Sequence, residues 1–388
     1  MELGWDFDVQ GNDNTKVPTM TTHSNPAEPD QQIFGTIRQD LQRGDIGKTL
    51  RRDFQELREY MLDEESQKRL KEMRVVKRWI VLAWWLLKSM FFKLTPARRI
   101  ILAAGIVLVV LSRTAIYVDE HIQIQPDTNA LGVLAILFVL MLELKDKLVA
   151  HDELQAGREV QRALMPEQKP NVEGWDLWLF TRSANEVGGD LVDFMRIGED
   201  RVAIALGDVA GKGLSAALLA AKLQATLRAL ASDVPSPGVL GSKLNQIFWR
   251  DAPRNIFASL VYIEFSPGSG KVRFLNAGHI PPIILRGRSI EKTEKGGVAL
   301  GIMPALTPDE RQSDLSSGDV LLVYSDGLTE AQDEAAGFFG DQRLLDMLPG
   351  FAGLTAEQTG NRLVGEIERF VGDARVHDDV SIVVLRKV

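Results

Sequence analysis

Four times in the C-terminal half of this chain, an apolar, strand-like run meets an aspartate that sits beside a glycine or a second acid. The four are Glu186-Val-Gly-Gly-Asp190 with Leu191-Val-Asp-Phe194, Val202-Ala-Ile-Ala-Leu-Gly-Asp208-Val209, Val320-Leu-Leu-Val-Tyr-Ser-Asp326-Gly, and Asp378-Asp379-Val-Ser-Ile-Val-Val-Leu385. One Asp-Gly alone reads as a turn or a cap. Four at strand ends constrain the fold more tightly. Carboxylates brought into one space repel strongly and persist there only if cations occupy it. Hard oxygen donors select Mg²⁺ or Mn²⁺. Two such ions can hold a hydroxide between them and clamp phosphoryl oxygens for in-line attack, so no protein nucleophile is required.

Composition narrows the chemistry further. The 388 residues contain no cysteine, which excludes disulfides, thiolate-ligated zinc, iron–sulfur clusters and a thiol nucleophile. The five histidines, His23, His121, His151, His279 and His377, are scattered, and none repeats at ligand spacing. A formal charge of −8 leaves no general footprint for nucleic acid. Gly207-Asp-Val-Ala-Gly211-Lys-Gly213 is no nucleotide loop, because it has three residues between its glycines and Gly213 where Ser or Thr would hold magnesium.

The order of segments points to a regulatory region followed by a catalytic one. Residues 1–32 are polar and read as a tail, and 33–74 as amphipathic helix. Residues 75–145 hold three apolar runs, Trp79–Phe92, Ile100–Leu111 and Ala130–Leu142. Each is shorter than the roughly 18 residues that define a span by themselves. The flanks extend two of them: Arg98 and Arg99 precede, Lys145 and Lys147 follow, and the connecting loop carries Asp119, Glu120 and Asp127. That asymmetry predicts a hairpin with spans 99–118 and 128–144 and both ends in the cytoplasm. Tryptophans and lysines around 79–92 read as an interfacial helix. Residues 146–168 are predicted as a linker helix, either a homodimerising coiled coil or a single solvated helix, ended by Pro166 and Pro170. From residue 169 on, strand-like runs (Trp175–Arg182, Arg201–Asp208, Phe257–Phe265, Val272–Asn276, Asp319–Tyr324, Val380–Leu385) mix with helical ones, an α+β order.

These motifs, together with Arg158-Glu-Val-Gln-Arg-Ala-Leu-Met-Pro166, Asn276-Ala-Gly-His-Ile-Pro-Pro282, Leu300-Gly-Ile302 and Ser325-Asp-Gly-Leu-Thr-Glu330, resemble the PPM-type serine/threonine phosphatases of the bacterial RsbU/SpoIIE-like branch. The likeness runs from about Gln155 to the C-terminus. It implies a two-sheet β-sandwich flanked by helices over 169–388, with two Mn²⁺ or Mg²⁺ ions at one end. It further implies that Asp208 bridges both ions, that the Val209 carbonyl adds a ligand, and that Asp326 and one of Asp378 or Asp379 hold the first ion, Asp378 by alignment. Asp190 would serve the second. The implied substrate is phosphoserine or phosphothreonine on a regulatory protein, such as an anti-sigma-factor antagonist, and the implied place is a bacterial inner membrane with a cytoplasmic catalytic domain. The rivals are a two-metal phosphodiesterase and a silent binding module of the same fold. His279 is expected to hold its turn rather than carry protons, Lys212 to steer the substrate or to be merely solvated, and Arg182 to be a loose counterpart of a phosphate clamp.

Overall fold

The computed structural model describes residues 69, 73, 75–111, 116–119, 122–124 and 129–388. The expected tail 1–32 and nearly all of the amphipathic segment 33–74 lie outside the described residues. Two compact units divide the chain, the first ending at Leu142 and the second running from Glu143 to Val388.

The first unit contains α1 (Val75–Lys93), α2 (Pro96–Leu111), an antiparallel ribbon of β1 (Ile116–Asp119) and β2 (Ile122–Ile124), and the apolar start of α3 (Asn129–Leu164). Gly105 of α2 and Gly132 of α3 are both buried, and a Cβ on Gly132 would stand 2.7 Å from the Gly105 carbonyl oxygen. Two small residues therefore let the backbones touch. Much of the surface of α2 and of the start of α3 is apolar, with Ile100, Val110, Leu131, Leu134 and Met141 all exposed. Within the segment expected at 99–118, the described helix runs to Leu111 and Ile116–Asp119 pairs as a strand. Among the described residues, one helix is long and apolar enough to cross a membrane, Leu214–Ala231, and it belongs to the second unit, where it packs into a core.

The second unit is a sandwich of two five-stranded antiparallel sheets. The first sheet has the order β10-β7-β6-β5-β4 (Glu310–Asp314, Lys271–Ala277, Ala258–Phe265, Val202–Val209, Asp190–Arg196). The second has the order β3-β12-β11-β8-β9 (Trp175–Arg182, Val380–Lys387, Val320–Tyr324, Ile283–Arg286, Ser289–Lys292). Successive side chains point to opposite faces and both faces are covered, which is why the central strands read as unbroken apolar runs. Ile204, Leu206, Val261 and Ile263 face Val323, Val383 and Leu385 between the sheets. Ala203, Ala205, Leu260 and Tyr262 face the other way, onto α4 (Leu214–Ala231) and α5 (Pro237–Asp251) through Leu223, Leu227, Leu240 and Leu244. On the opposite side Trp178, Leu322, Ile382 and Val384 pack on Leu363 and Ile367 of α6 (Ala356–Val371). Both faces of both sheets are covered, so the strand ends and connecting loops are left to carry chemistry.

Candidate functional site

The antiparallel order delivers four strand ends to one place. β4 begins at Asp190 and β5 ends one residue past Asp208, and these two aspartates are register partners. In the other sheet β11 leads into Ser325-Asp326, while β12 emerges from Asp378-Asp379 beside it, with Tyr324 opposite Ile382. Hydrogen bonds join the two ends: Ser381 Oγ donates to Asp190 Oδ2 at 2.5 Å, and the Gly189 amide donates to Asp379 Oδ2 at 2.7 Å. Asp190, Asp208, Asp326, Asp378 and Asp379 thus come together from both halves of the sandwich.

The glycines at this junction are chosen by space more than by dihedral angle. A Cβ on Gly188 would stand 2.2 Å from Asp379 Oδ2, and one on Gly327 2.0 Å from the Asp379 carbonyl oxygen. At Gly189 the added atom would meet the Val209 carbonyl oxygen at 2.9 Å and Asp208 Oδ1 at 3.3 Å. Those two oxygens therefore flank a cradle that any side chain would fill. Gly211 and Gly213 have the opposite reason: nothing stands within 4 Å of a Cβ there, but their φ values of 117° and 73° lie in the left-handed region.

Electrostatics mark the same point. Burial, then the charges of Asp326, Asp378 and Asp379, push the Asp208 carboxyl up to about 7. Burial, with Asp208 next in weight, raises Asp190 well above the usual carboxylate range. Asp326 and Asp379 are raised too, each mainly by burial. Lys212 sits among these carboxylates, with its Nζ 2.8 Å from the His377 carbonyl oxygen and 3.3 Å from Asp378 Oδ2. Among the described residues, no three acidic or histidine side chains stand at metal-holding distance as they are. Three of the five are drawn to protein partners: Asp378 to Lys212, Asp190 to Ser381, and Asp379 to the amides of Ala184 and Gly189. The donor set, all hard oxygen and strongly anionic, nonetheless suits a divalent cation.

His279 is a structural side chain. Its Nε2 lies 3.1 Å from the Tyr324 carbonyl oxygen and must donate there, which leaves Nδ1 to accept from Ser259 Oγ at 2.7 Å. Asn276 closes the turn, accepting from the His279 amide at 2.8 Å and donating to its carbonyl at 3.0 Å. Burial lowers the imidazole to about 4, so it is neutral at pH 7. The unfolded chain protonates near 6.5, so stability is complete above that value and is lost as pH falls toward 4. Urea denaturation should show the chain about 2 kcal/mol less stable at pH 5 than at pH 7 through this group. A His279→Asn variant should lack that increment, and an equal pH dependence in the variant would assign it elsewhere. Arg182 does not reach the carboxylates; it pairs with Glu368 at 2.7 Å.

Three further residues bear on the site. Ser381, fully buried, joins Asp190 and lies 2.8 Å from Thr181 Oγ1; its signal in the sequence is a lone hydroxyl inside an apolar strand. Glu330 has its carboxyl raised by burial and by Asp326 and Asp378, which places it on the same field. Gln161 near the end of α3 donates to the Gly188 carbonyl at 2.9 Å and accepts from its amide at 3.1 Å, clamping the backbone that leads to Asp190. Gln161 lies within the Arg158–Pro166 motif, but nothing in the sequence assigns it that contact.

Comparison with known proteins agrees with this architecture. Residues 198–388 match the family model described as Stage II sporulation protein E. Protein IcfG of Synechocystis is 27% identical over 256 residues, covering 57% of this chain and 40% of that protein. Phosphoserine phosphatase RsbU of Bacillus subtilis is 24% identical over 237 residues, covering 61% of this chain and 70% of that one. This chain thus spans less than half of the first relative and about two thirds of the second. In structure, the SiaA-PP2C domain of Pseudomonas aeruginosa superposes with a TM-score of 0.54 at 19% identity, over 62% of this chain and 98% of that domain, which shows the shared fold. Matching sandwich, matching motifs and the family model together make the C-terminal part of this chain a SpoIIE-family domain of the PPM phosphatase type, on the RsbU/SpoIIE-like branch.

Proposed function

We propose that this chain is a divalent-metal-dependent phosphatase that hydrolyses phosphoserine or phosphothreonine on a regulatory protein while anchored to a membrane through residues 75–145. The observation that carries the enzymatic part is the convergence of Asp190 and Asp208 from one sheet with Asp326, Asp378 and Asp379 from the other, which leaves the half-buried Asp208 among like charges. A buried cluster of that charge is stabilised by cations. Asp208 would touch both ions and the Val209 carbonyl would add a ligand. Asp326 and Asp378 would hold one ion and Asp190 would serve the other. Asp379 accepts backbone amides and positions the Gly188–Asp190 turn. When bound, Mn²⁺ or Mg²⁺ supplies Lewis-acid stabilisation of the phosphoryl charge. Lys212, extended between two glycines at the edge of the cluster, is placed to draw in the phosphoryl anion. His279, neutral and doubly hydrogen-bonded, keeps the 276–279 turn in place and moves no proton.

The likeness to a phosphoserine phosphatase supports a phosphoserine substrate, and we place that phosphoserine on a regulatory protein of the anti-sigma-factor-antagonist kind. The outward-facing apolar residues of α2 and the start of α3 support the anchor, since such a surface is costly in water. One experiment addresses both parts. The full chain should stay in the membrane fraction after carbonate extraction, and with Mn²⁺ that fraction should release phosphate from a phosphoserine protein and not from bis-p-nitrophenyl phosphate. Hydrolysis of the diester instead would make it a phosphodiesterase, no hydrolysis would make it a binding module, and recovery in the soluble fraction would remove the anchor.

A further inference from the structure

A cavity of about 240 Å³ opens beside the carboxylates, and Asp378 and Gly327 line it as well as the site itself. Its other walls come from the turn after Gly327, from the last two turns of α6 and from the approach to β12. Its lining is largely hydrocarbon, from Ala331, Ile367, Val371, Ala374, Val376 and Val380. Ile367 and Val380 are each 1% exposed and give it a fixed floor. The Arg182–Glu368 ion pair, at 2.7 Å, stands on the wall and neutralises its own charge. The volume is below the roughly 300–1,000 Å³ of pockets for drug-sized ligands. An apolar recess of this size, continuous with a phosphoryl site, fits one hydrocarbon side chain.

We infer that this recess is a substrate-recognition subsite that takes an aliphatic side chain of the phosphorylated protein, a few residues from the phosphoserine. The inference rests on the phosphatase reading and sets sequence preference within it. Phosphate in the carboxylate site and the flanking chain across Asp378 would carry that side chain over the Arg182–Glu368 pair and onto Ile367 and Val380. Burial of the side chain adds binding that a bare phosphate ester cannot use.

The test uses the full chain with Mn²⁺ and phosphoserine peptides of glycine and serine that carry one leucine at each position from three before to three after the phosphoserine. One register should exceed the leucine-free peptide about tenfold or more in kcat/KM. Ala374→Phe and Ala331→Phe, which fill the recess from different sides, should each erase that preference and lower the ratio of peptide to p-nitrophenyl phosphate turnover. Turnover of p-nitrophenyl phosphate reports that each variant is folded, and two variants guard against the loss of one. Hydrolysis of every peptide at the same rate, or a preference that survives both fillings, overturns the subsite and leaves the phosphatase reading standing. Absence of hydrolysis on all substrates overturns both.

Discussion

Replacing Asp208 by asparagine is expected to lower Mn²⁺-dependent phosphate release by at least about 1,000-fold while leaving the fold intact. Asp208 is the residue on which the field of the whole cluster converges, because its register partner is Asp190 and the facing sheet contributes Asp326, Asp378 and Asp379. An amide keeps the size of the side chain and loses the charge that a shared cation needs. The same change removes like-charge repulsion from a half-buried place, so the melting temperature of the chain in EDTA should be equal to or higher than that of the wild type. Sites assembled for chemistry commonly hold this kind of stored cost. The two readouts separate a lost ligand from a lost fold. Activity within tenfold of wild type would falsify the site assignment, and a large drop in melting temperature would show that Asp208 also supports the fold.

Adjacent aspartates 378 and 379 should behave in opposite ways. Asp379 is 7% exposed and accepts the amides of Ala184 at 2.8 Å, Gly189 at 2.7 Å and Asp190 at 3.4 Å. Asp379→Ala strands those donors in a buried place, which should cost about 3 kcal/mol and lower the melting temperature by roughly 10 °C. The side chain of Asp378 is 43% exposed and meets Lys212. Asp378→Ala should leave the melting temperature within about 2 °C, because exposed ion pairs contribute little. It should nonetheless weaken Mn²⁺ binding and lower turnover about 100-fold, since the oxygen ligand proposed there has no replacement in the lysine. Calorimetry and Mn²⁺ titration on both variants decide the matter. If Asp379→Ala is the stable variant with the weaker metal affinity, the roles are reversed.

Much of the second unit was legible because its strands obey simple rules. β3 matches the expected Trp175–Arg182, and β5, β6, β7, β11 and β12 fall within one or two residues of their apolar runs. β10 was not legible. Its sequence Glu-Arg-Gln-Ser-Asp has no apolar period, because it is an edge strand that pairs with β7 and otherwise faces water. β4 was read from the Leu191–Phe194 run, but the acid inside it was not explained by pattern: Asp193 is fully buried, and the ion pair with Arg228 at 2.6 Å, set by a helix 35 residues away, makes that possible. α3 shows the converse. The apolar run ending at Leu142 and the polar linker after it read as separate segments, yet they form one uninterrupted helix, since Glu143 and Lys145 are good helix formers and nothing breaks the backbone before Pro166.

The aspartates at the strand ends were evident from the sequence alone, together with the absence of any thiol or histidine alternative. Short-range pattern determines which residues can be ligands, since a carboxylate at the end of an apolar run has few other uses when it recurs four times. Only the tertiary structure decided which of two neighbouring aspartates opens to the site, that Ser381 and Gln161 brace it, that His279 is neutral, and that a hydrocarbon recess lies alongside. Those facts depend on which side of a pleat each residue faces and on partners contributed by distant strands and helices. The direction of a side chain and the company it keeps are long-range properties, and local sequence does not contain them.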